Sequence, residues 1–259
     1  MSILDTIIAN KKLEVERQKT ETPLPRLAKQ LTDTAGSASF KQALLRSSSG
    51  IIAEFKRKSP SRGWIFEQAK VEEVIPAYSQ YGASAISVLT DTAFFGGTFD
   101  DFRLARSLTD TPLLRKDFIV DEYQIYQAKL LEANVILLIA SGLTVAETKR
   151  FAAKAHELGL ETLLEIHNED ELSYVNENVD VIGVNNRNLN TFVTDVQVSF
   201  DLAEKIPAEF VKISESGISQ PQTVIDLRQA GFMGFLMGEN FMKTGNPGLA
   251  LNDFIRQLQ

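Results

Sequence analysis

The sequence predicts an α/β fold, a single (β/α)8 barrel with an N-terminal helical extension, on three observations. From Gly50 onward, short apolar runs alternate with longer amphipathic runs, eight of each. The apolar runs are nearly continuous, as parallel strands buried on both faces require. No GxGxxG follows the first run, which counts against the rival architecture, an open doubly wound sheet. Residues 1–259 are read as one domain, with residues 1–49 as an extension packed on it.

Residues 2–18 read as a helix, since Ile3, Leu4, Ile7, Ile8, Leu13 and Val15 fall mostly at helical spacing. Pro23 and Pro25 end that pattern. Two shorter helical pieces, 27–31 and 40–46, flank a Thr-Asp-Thr-Ala-Gly-Ser linker at 32–37. Strands are then expected at 51–55, 85–89, 112–114, 135–140, 161–166, 179–184, 210–213 and 234–237. Helices are expected at 71–81, 99–108, 122–132, 145–158, 168–176, 196–206, 220–230 and 247–258.

Composition narrows the chemistry. The chain has no cysteine, which excludes disulfides, thiolate zinc sites and thiol nucleophiles. Its two histidines are not at ligand spacing, so a histidine metal site is not expected. A net charge of −7 disfavours non-specific nucleic-acid binding but permits a local basic pocket. No apolar run approaches the roughly 18 residues of a membrane span. The charged, amphipathic N-terminus lacks a signal-peptide block. The expectation is a cytoplasmic enzyme with neither nucleic acid nor membrane as partner.

In such a barrel the site is built at the C-terminal ends of the strands. Glu54 and Lys56, two residues apart on the first strand, face one side together with Ile52. Ser59-Pro60-Ser61-Arg62-Gly63 follows as an anion-landing turn or, equally, a solvated basic turn. Phe94-Phe95 before Gly96-Gly97 suits a lid-like loop, with Phe95 the stronger candidate for a substrate contact. Lys116, beside Phe118 at the third strand's end, is a candidate acid or base because desolvation lowers an amine's pKa. The fourth strand offers only an apolar wall. Glu165, inside an apolar run, needs a partner or a raised pKa. His167 shares its side and is read as a hydrogen-bonded structural group. Asn185, Asn186 and Arg187 suit a carboxylate. Glu215-Ser216-Gly217 and Gly238-Glu239 fall where barrels often bind phosphate through open backbone N–H groups. This inventory favours general acid–base chemistry on a phosphorylated, anionic, partly aromatic small molecule.

The motifs Ile-Ala-Glu-Phe-Lys-Arg-Lys-Ser-Pro-Ser at 52–61, Phe-Phe-Gly-Gly at 94–97, Arg-Lys-Asp-Phe at 115–118, Leu-Leu-Glu-Ile-His at 163–167, Gly-Val-Asn-Asn-Arg-Asn-Leu at 183–189, Glu-Ser-Gly-Ile at 215–218 and Met-Gly-Glu at 237–239 resemble those of the indole-3-glycerol phosphate synthases, over almost the whole chain. The resemblance implies a TIM barrel of tryptophan biosynthesis that closes the ring of 1-(2-carboxyphenylamino)-1-deoxyribulose 5-phosphate, with loss of CO2 and water. It implies no cofactor and no metal. It makes Lys116 the general acid, Glu165 its acid–base partner in dehydration, and Lys56 the holder of the substrate carboxylate with a share in acid duty. How the two lysines divide the steps stays open. Glu54 would orient the lysines. Asn185, Arg187, Phe95 and Phe118 would position the aromatic part, with Ser59 among the substrate contacts. Ser216, counted among the catalytic set, would also join Gly217, Gly238 and Glu239 around the phosphate, and Glu215 would support the network. Trp64 and Lys243-Thr244-Gly245-Asn246 depart from the family's usual residues, away from the catalytic positions. The partner expected is the phosphorylated small molecule; a monomer is one reading, and the oligomeric state stays open. A phosphoribosylanthranilate isomerase would share the phosphate cradle but typically needs a Cys–Asp pair. A catalytically dead binding barrel would lack at least one of Glu54, Lys56, Lys116 and Glu165.

Overall fold

The computed structural model describes residues 2–31, 38–189 and 191–258. The linker expected at 32–37 lies outside the described residues. Eight strands form a closed parallel barrel: β1 Ile51–Phe55, β2 Ala85–Leu89, β3 Leu113–Lys116, β4 Val135–Ile139, β5 Glu161–Ile166, β6 Val181–Asn185, β7 Val211–Glu215 and β8 Gly234–Met237. Each strand pairs with its neighbours in sequence, and β8 closes on β1 with Ile52 opposite Leu236. No helix among the described residues is long and apolar enough to cross a membrane.

Three strands differ from expectation in a way that matters for the site. β3, β6 and β7 run on to Lys116, Asn185 and Glu215, because the ladder continues there: Leu89 pairs with Lys116 and Asn185 with Glu215. These polar residues are therefore held by sheet hydrogen bonds and not by loops. The helix expected at 168–176 is only a 3-10 turn, Asp170–Tyr174. The Glu171 carboxylate folds back to accept the His167 N–H at 2.7 Å, tightening the segment.

The apolar core has two layers. Inside the barrel, Ile52, Leu114, Leu137, Leu163, Ile213 and Leu236 meet across the axis. A larger layer lies between the strands and the helices, where Val88, Ile136, Leu164 and Phe235 pack against Phe102, Phe151 and Leu227. The helix Phe40–Arg46 closes the bottom. Its Phe40 and Leu44 are fully buried in the inner cluster. Glu161, at the start of β5, accepts the Lys41 N–H at 2.9 Å and the Ser39 hydroxyl.

The N-terminal helix, Ile3–Glu21, starts on a reciprocal cap. Ser2 Oγ accepts the Asp5 N–H at 3.1 Å, and the Asp5 carboxylate accepts the Ser2 N–H at 2.7 Å. Its buried stripe is Leu4, Ile7, Lys11 and Val15, spaced three, four and four residues apart. That stripe leaves Leu13 on the opposite face, 74% exposed, so the expected packing of Leu13 does not occur. Lys11 lies between Asp91 and Asp117, just past β2 and β3. The helix thus covers part of the barrel's C-terminal mouth.

Truncating the bottom plug tests this architecture. Phe40→Ala is expected to cost about 3–5 kcal/mol, the usual penalty for emptying a buried aromatic site. Urea unfolding should show it as a lower midpoint at unchanged slope. A loss under about 1 kcal/mol would show that the helix is not part of the core.

Candidate active site

A cavity of about 420 Å3 opens at the C-terminal mouth. The charged side chains that the strands and their ends place deep in it come from odd strands: Glu54 and Lys56 from β1 and its end, Lys116 from β3, Glu165 from β5 and Glu215 from β7. Even strands supply Leu89, Leu137, Ile139, Leu236 and one amide, Asn185. This alternation follows from barrel geometry, in which inward side chains of alternate strands form common layers.

Lys116 is the centre of the charge set. Its Nζ lies 2.6 Å from Glu215 Oε2 and 3.1 Å from Glu165 Oε2. Burial pulls the ammonium's pKa down, but the carboxylates of Glu215, Glu165 and Glu54 outweigh burial and hold it well above the ordinary lysine value. The expectation of a lowered amine pKa is thereby corrected: partners from β5 and β7 exceed the desolvation effect.

The two carboxylates bound to Lys116 differ. Burial opposes charge on Glu165, yet Lys116 and His167 keep its pKa well below the usual range. Both its oxygens are engaged, Oε2 by Lys116 and Oε1 by Asn185 Nδ2 at 3.0 Å. Glu215 is pushed up to about 7, first by burial and then by Glu165 and Glu54, against the pull of Lys116. Its close ion pair does not prevent this, because Oε1 has no hydrogen-bond donor among the described residues. That oxygen lies over Gly183, where a Cβ would come within 2.4 Å of it. Gly183 therefore makes the room that Glu215 occupies.

On the opposite wall, Lys56 Nζ donates to Glu54 Oε1 at 2.5 Å, and Ser87 Oγ to Glu54 Oε2 at 3.4 Å. Gly238 is needed here for space, since a Cβ would stand 2.6 Å from Glu54 Oε1. This is a different reason from the open amide expected of it. Past β1, Lys58–Ser59 pairs with Gly63–Trp64 in a short hairpin at the cavity rim. Ser59 is buried, and its hydroxyl has no hydrogen-bond partner among the described residues. Arg187 reaches across from β6 and donates to Ser61 Oγ at 3.0 Å, while Arg62 Nε meets Glu239 Oε1 at 3.3 Å. The hairpin is thus tied to two other loops.

Ser216, Gly217, Gly238 and Glu239 all line the same side of the cavity. Ser216 and Gly217 both have left-handed backbones, φ 68° and 76°. For a serine this costs roughly 1–2 kcal/mol. It is held by Asn186 Nδ2, which donates to the Ser216 carbonyl at 3.0 Å and to Ser214 Oγ at 2.9 Å. A Cβ on Gly217 would meet Thr194 at 2.6 Å.

Phe95 and Phe118 line the cavity and stack with centroids 5.8 Å apart, whereas Phe94 stays outside its lining. Several lining residues escaped sequence reading. Ile3, Leu4 and Ile7 of the N-terminal helix form part of the wall; their helical spacing was visible, but not what they faced. Lys243 also lines the cavity, so this departure is not remote from the site. Trp64 does not line it. The ring is half exposed and packs against Gly96, with Lys58 Nζ 5.5 Å from its centre. No group of three or more His, Asp or Glu among the described residues is arranged to hold a metal ion.

His167 is held as a hydrogen-bonded group between two carboxylates. Its Nε2 lies 3.3 Å from Glu165 Oε1, and its Nδ1 3.1 Å from Glu171 Oε2. Burial works against its charge, but the two carboxylates push its pKa from 6.5 up to about 10. A raised folded-state pKa stabilises fully below the unfolded value and is lost as pH rises through the folded one. His167→Gln is therefore expected to cost about 1.5–3 kcal/mol, the worth of a hydrogen bond to a charged group, below pH 6.5. The gap from wild type should close between pH 6.5 and about 10. Urea titrations at pH 6 and about pH 10 check this; a cost that does not change with pH would rule out a charged His167.

A sequence model described as Indole-3-glycerol phosphate synthase matches residues 4–256. A protein of Bacteroides thetaiotaomicron named indole-3-glycerol phosphate synthase is 54% identical over 257 residues, 99% of each chain. One of Salinibacter ruber with the same name is 39% identical, over 97% of this chain and 94% of that one. Among solved structures, the tryptophan synthase complex of Pyrococcus furiosus matches with a TM-score of 0.60 at 16% identity, over 81% of this chain and 97% of that one. Thiamine phosphate pyrophosphorylase from the same organism matches with a TM-score of 0.60 at 15% identity, over 83% and 98%. These distant likenesses speak to the barrel alone. The family match over nearly the full length, with the near relatives, shows that the chain belongs to the indole-3-glycerol phosphate synthase family.

Proposed function

We propose that the cavity takes 1-(2-carboxyphenylamino)-1-deoxyribulose 5-phosphate and converts it to indole-3-glycerol phosphate, CO2 and water, as a carboxy-lyase of tryptophan biosynthesis in the cytoplasm. Beside family membership, one observation carries this reading: Lys116 stands as a charged ammonium between Glu165 and Glu215 in the cavity wall.

The chemistry asks for such a group. The ring carbon bearing the carboxylate attacks the ketose carbonyl carbon, and the carbonyl oxygen takes a proton as the new C–C bond forms. An ammonium supplies that proton and stabilises the developing charge. Loss of CO2 returns the C–C bonding pair to the ring and restores aromaticity, which needs the ring held still more than it needs a base. Dehydration removes the hydroxyl with a proton from an acid while a base takes the C–H proton beside nitrogen. In this reading Lys116 is the acid of ring closure and, after it regains a proton from solvent, of dehydration, in which Glu165 is the base. Lys56 holds the substrate carboxylate, with Glu54 orienting it. Asn185 and Arg187 position the anthranilate part against Phe95 and Phe118, and Ser59 contacts the substrate at the hairpin. The turn at Ser216 and Gly217, with Gly238 and Glu239, receives the phosphate.

Purified protein with the carboxyphenylamino-deoxyribulose phosphate should release indoleglycerol phosphate, followed by its fluorescence. Lys116→Ala should lower kcat roughly 10²–10⁴-fold, the usual worth of a general acid. Equal rates in both would move acid duty to Lys56. A folded wild type that yields no product would refute the reading itself.

A further inference from the structure

The N-terminal helix carries a lysine in its apolar stripe. Lys11 is 0% exposed, and an ammonium so placed persists only with close partners. It has three: Glu14, Asp91 and Asp117, each 3.0 Å from its Nζ. Glu14 belongs to the same helix. The two aspartates belong to the barrel: Asp117 holds the backbone of Phe118, and Asp91 caps the short helix that carries Phe95.

Asp91 follows β2 and caps the short helix Thr92–Phe95, its Oδ1 accepting the Phe94 N–H at 2.8 Å. Asp117 stands between Lys116 and Phe118, and its Oδ1 accepts the Phe118 N–H at 2.8 Å. Its Oδ2 accepts the Thr90 hydroxyl at 2.7 Å and Arg115 Nη2 at 2.9 Å. Lys11 therefore joins the two loops whose phenylalanines stack on each other in the cavity wall. We propose that Lys11 is a positioning residue for the reaction, fixing the Phe95–Phe118 pair where the aromatic ring of the substrate must lie. The claim rests on the function proposed above. A lysine that merely tethered the helix would be needed for stability and not for turnover.

The test uses the full chain with Lys11→Met, Lys11→Arg, Phe95→Ala and the double variant Lys11→Met/Phe95→Ala. Folding is checked by circular dichroism at the assay temperature. In folded Lys11→Met, kcat should fall about 10- to 100-fold, as small misplacements of a bound reactant do, with KM within about threefold. Lys11→Arg should recover most of the loss. The two single effects should not multiply in the double variant, since Lys11 acts through Phe95. Normal kcat in folded Lys11→Met, or full multiplication, overturns the proposal. If Lys11→Met does not fold, Asp91→Asn keeps the capping acceptor and weakens the pair from the other side, with the same expectation. Trp64 gives a readout independent of turnover. It is the only tryptophan in the sequence, and its ring lies against Gly96, which ends the Phe95 helix. Its emission should shift in Lys11→Met. An inactive wild type would refute the proposed function alone, whereas unchanged Trp64 emission would refute the role of Lys11.

Discussion

The ammonium of Lys116 sits where little water reaches it, and two carboxylates, one from β5 two strands away and one from β7 across the barrel, make that position tenable. An isolated buried charge of this kind would cost far more than a domain's whole margin of stability. The partners must therefore arrive in register, and the closed barrel is what delivers them. Hydrogen bonding around the ring places the ends of β3, β5 and β7 at one mouth. Gly183 then leaves the space in which Glu215 lies. If β6 carried a side chain there, Glu215 could not stay where it is, and Lys116 would lose its shorter ion pair. The site depends on the fold in this specific sense: the charges are affordable only together.

Two glutamates with the same chemistry end up with opposed proton affinities because their surroundings differ. Glu165 has donors on both oxygens, and His167 adds a positive charge behind it. Among the described residues, Glu215 has a donor on one oxygen and none on the other. Burial then decides for Glu215 and is overruled for Glu165. Pushing the pKa values of neighbouring acids apart is how one site holds a proton donor and an acceptor at the same pH.

Much of this was legible in the sequence, and the reason is the period of a strand. Charges at Glu54, Lys116 and Glu165 interrupt apolar runs, and a barrel sends such strand ends to one place. What could not be read was anything that depends on a partner distant in sequence. Desolvation at Lys116 was foreseeable; the joint opposing effect of Glu215, 99 residues away, with Glu165 and Glu54 was not. Gly238 was read for its open amide; that its missing side chain also leaves room for Glu54 was not legible. The N-terminal helix hid its role for a related reason. Its stripe passes through Lys11, so an apolar count steps over that position and selects Leu13, which faces solvent. A lysine at stripe spacing between Ile7 and Val15 was the available signal, and only a buried acidic partner gives it meaning.

The ion pairs at Lys116 also bear on how the proposed chemistry can proceed. While Lys116 points at Glu165 and Glu215, it lowers the basicity of both, and a base so weakened is a poor acceptor for a C–H proton. Once the ammonium hydrogen-bonds to the substrate oxygen and gives up its proton, that suppression ends. Glu165 then gains basicity at the step that calls for a base, although Asn185 and His167 keep it in place throughout. In the proposed reaction, acid and base are thus coupled through one ion pair, and the strength of that pair in the resting site is what makes the coupling large.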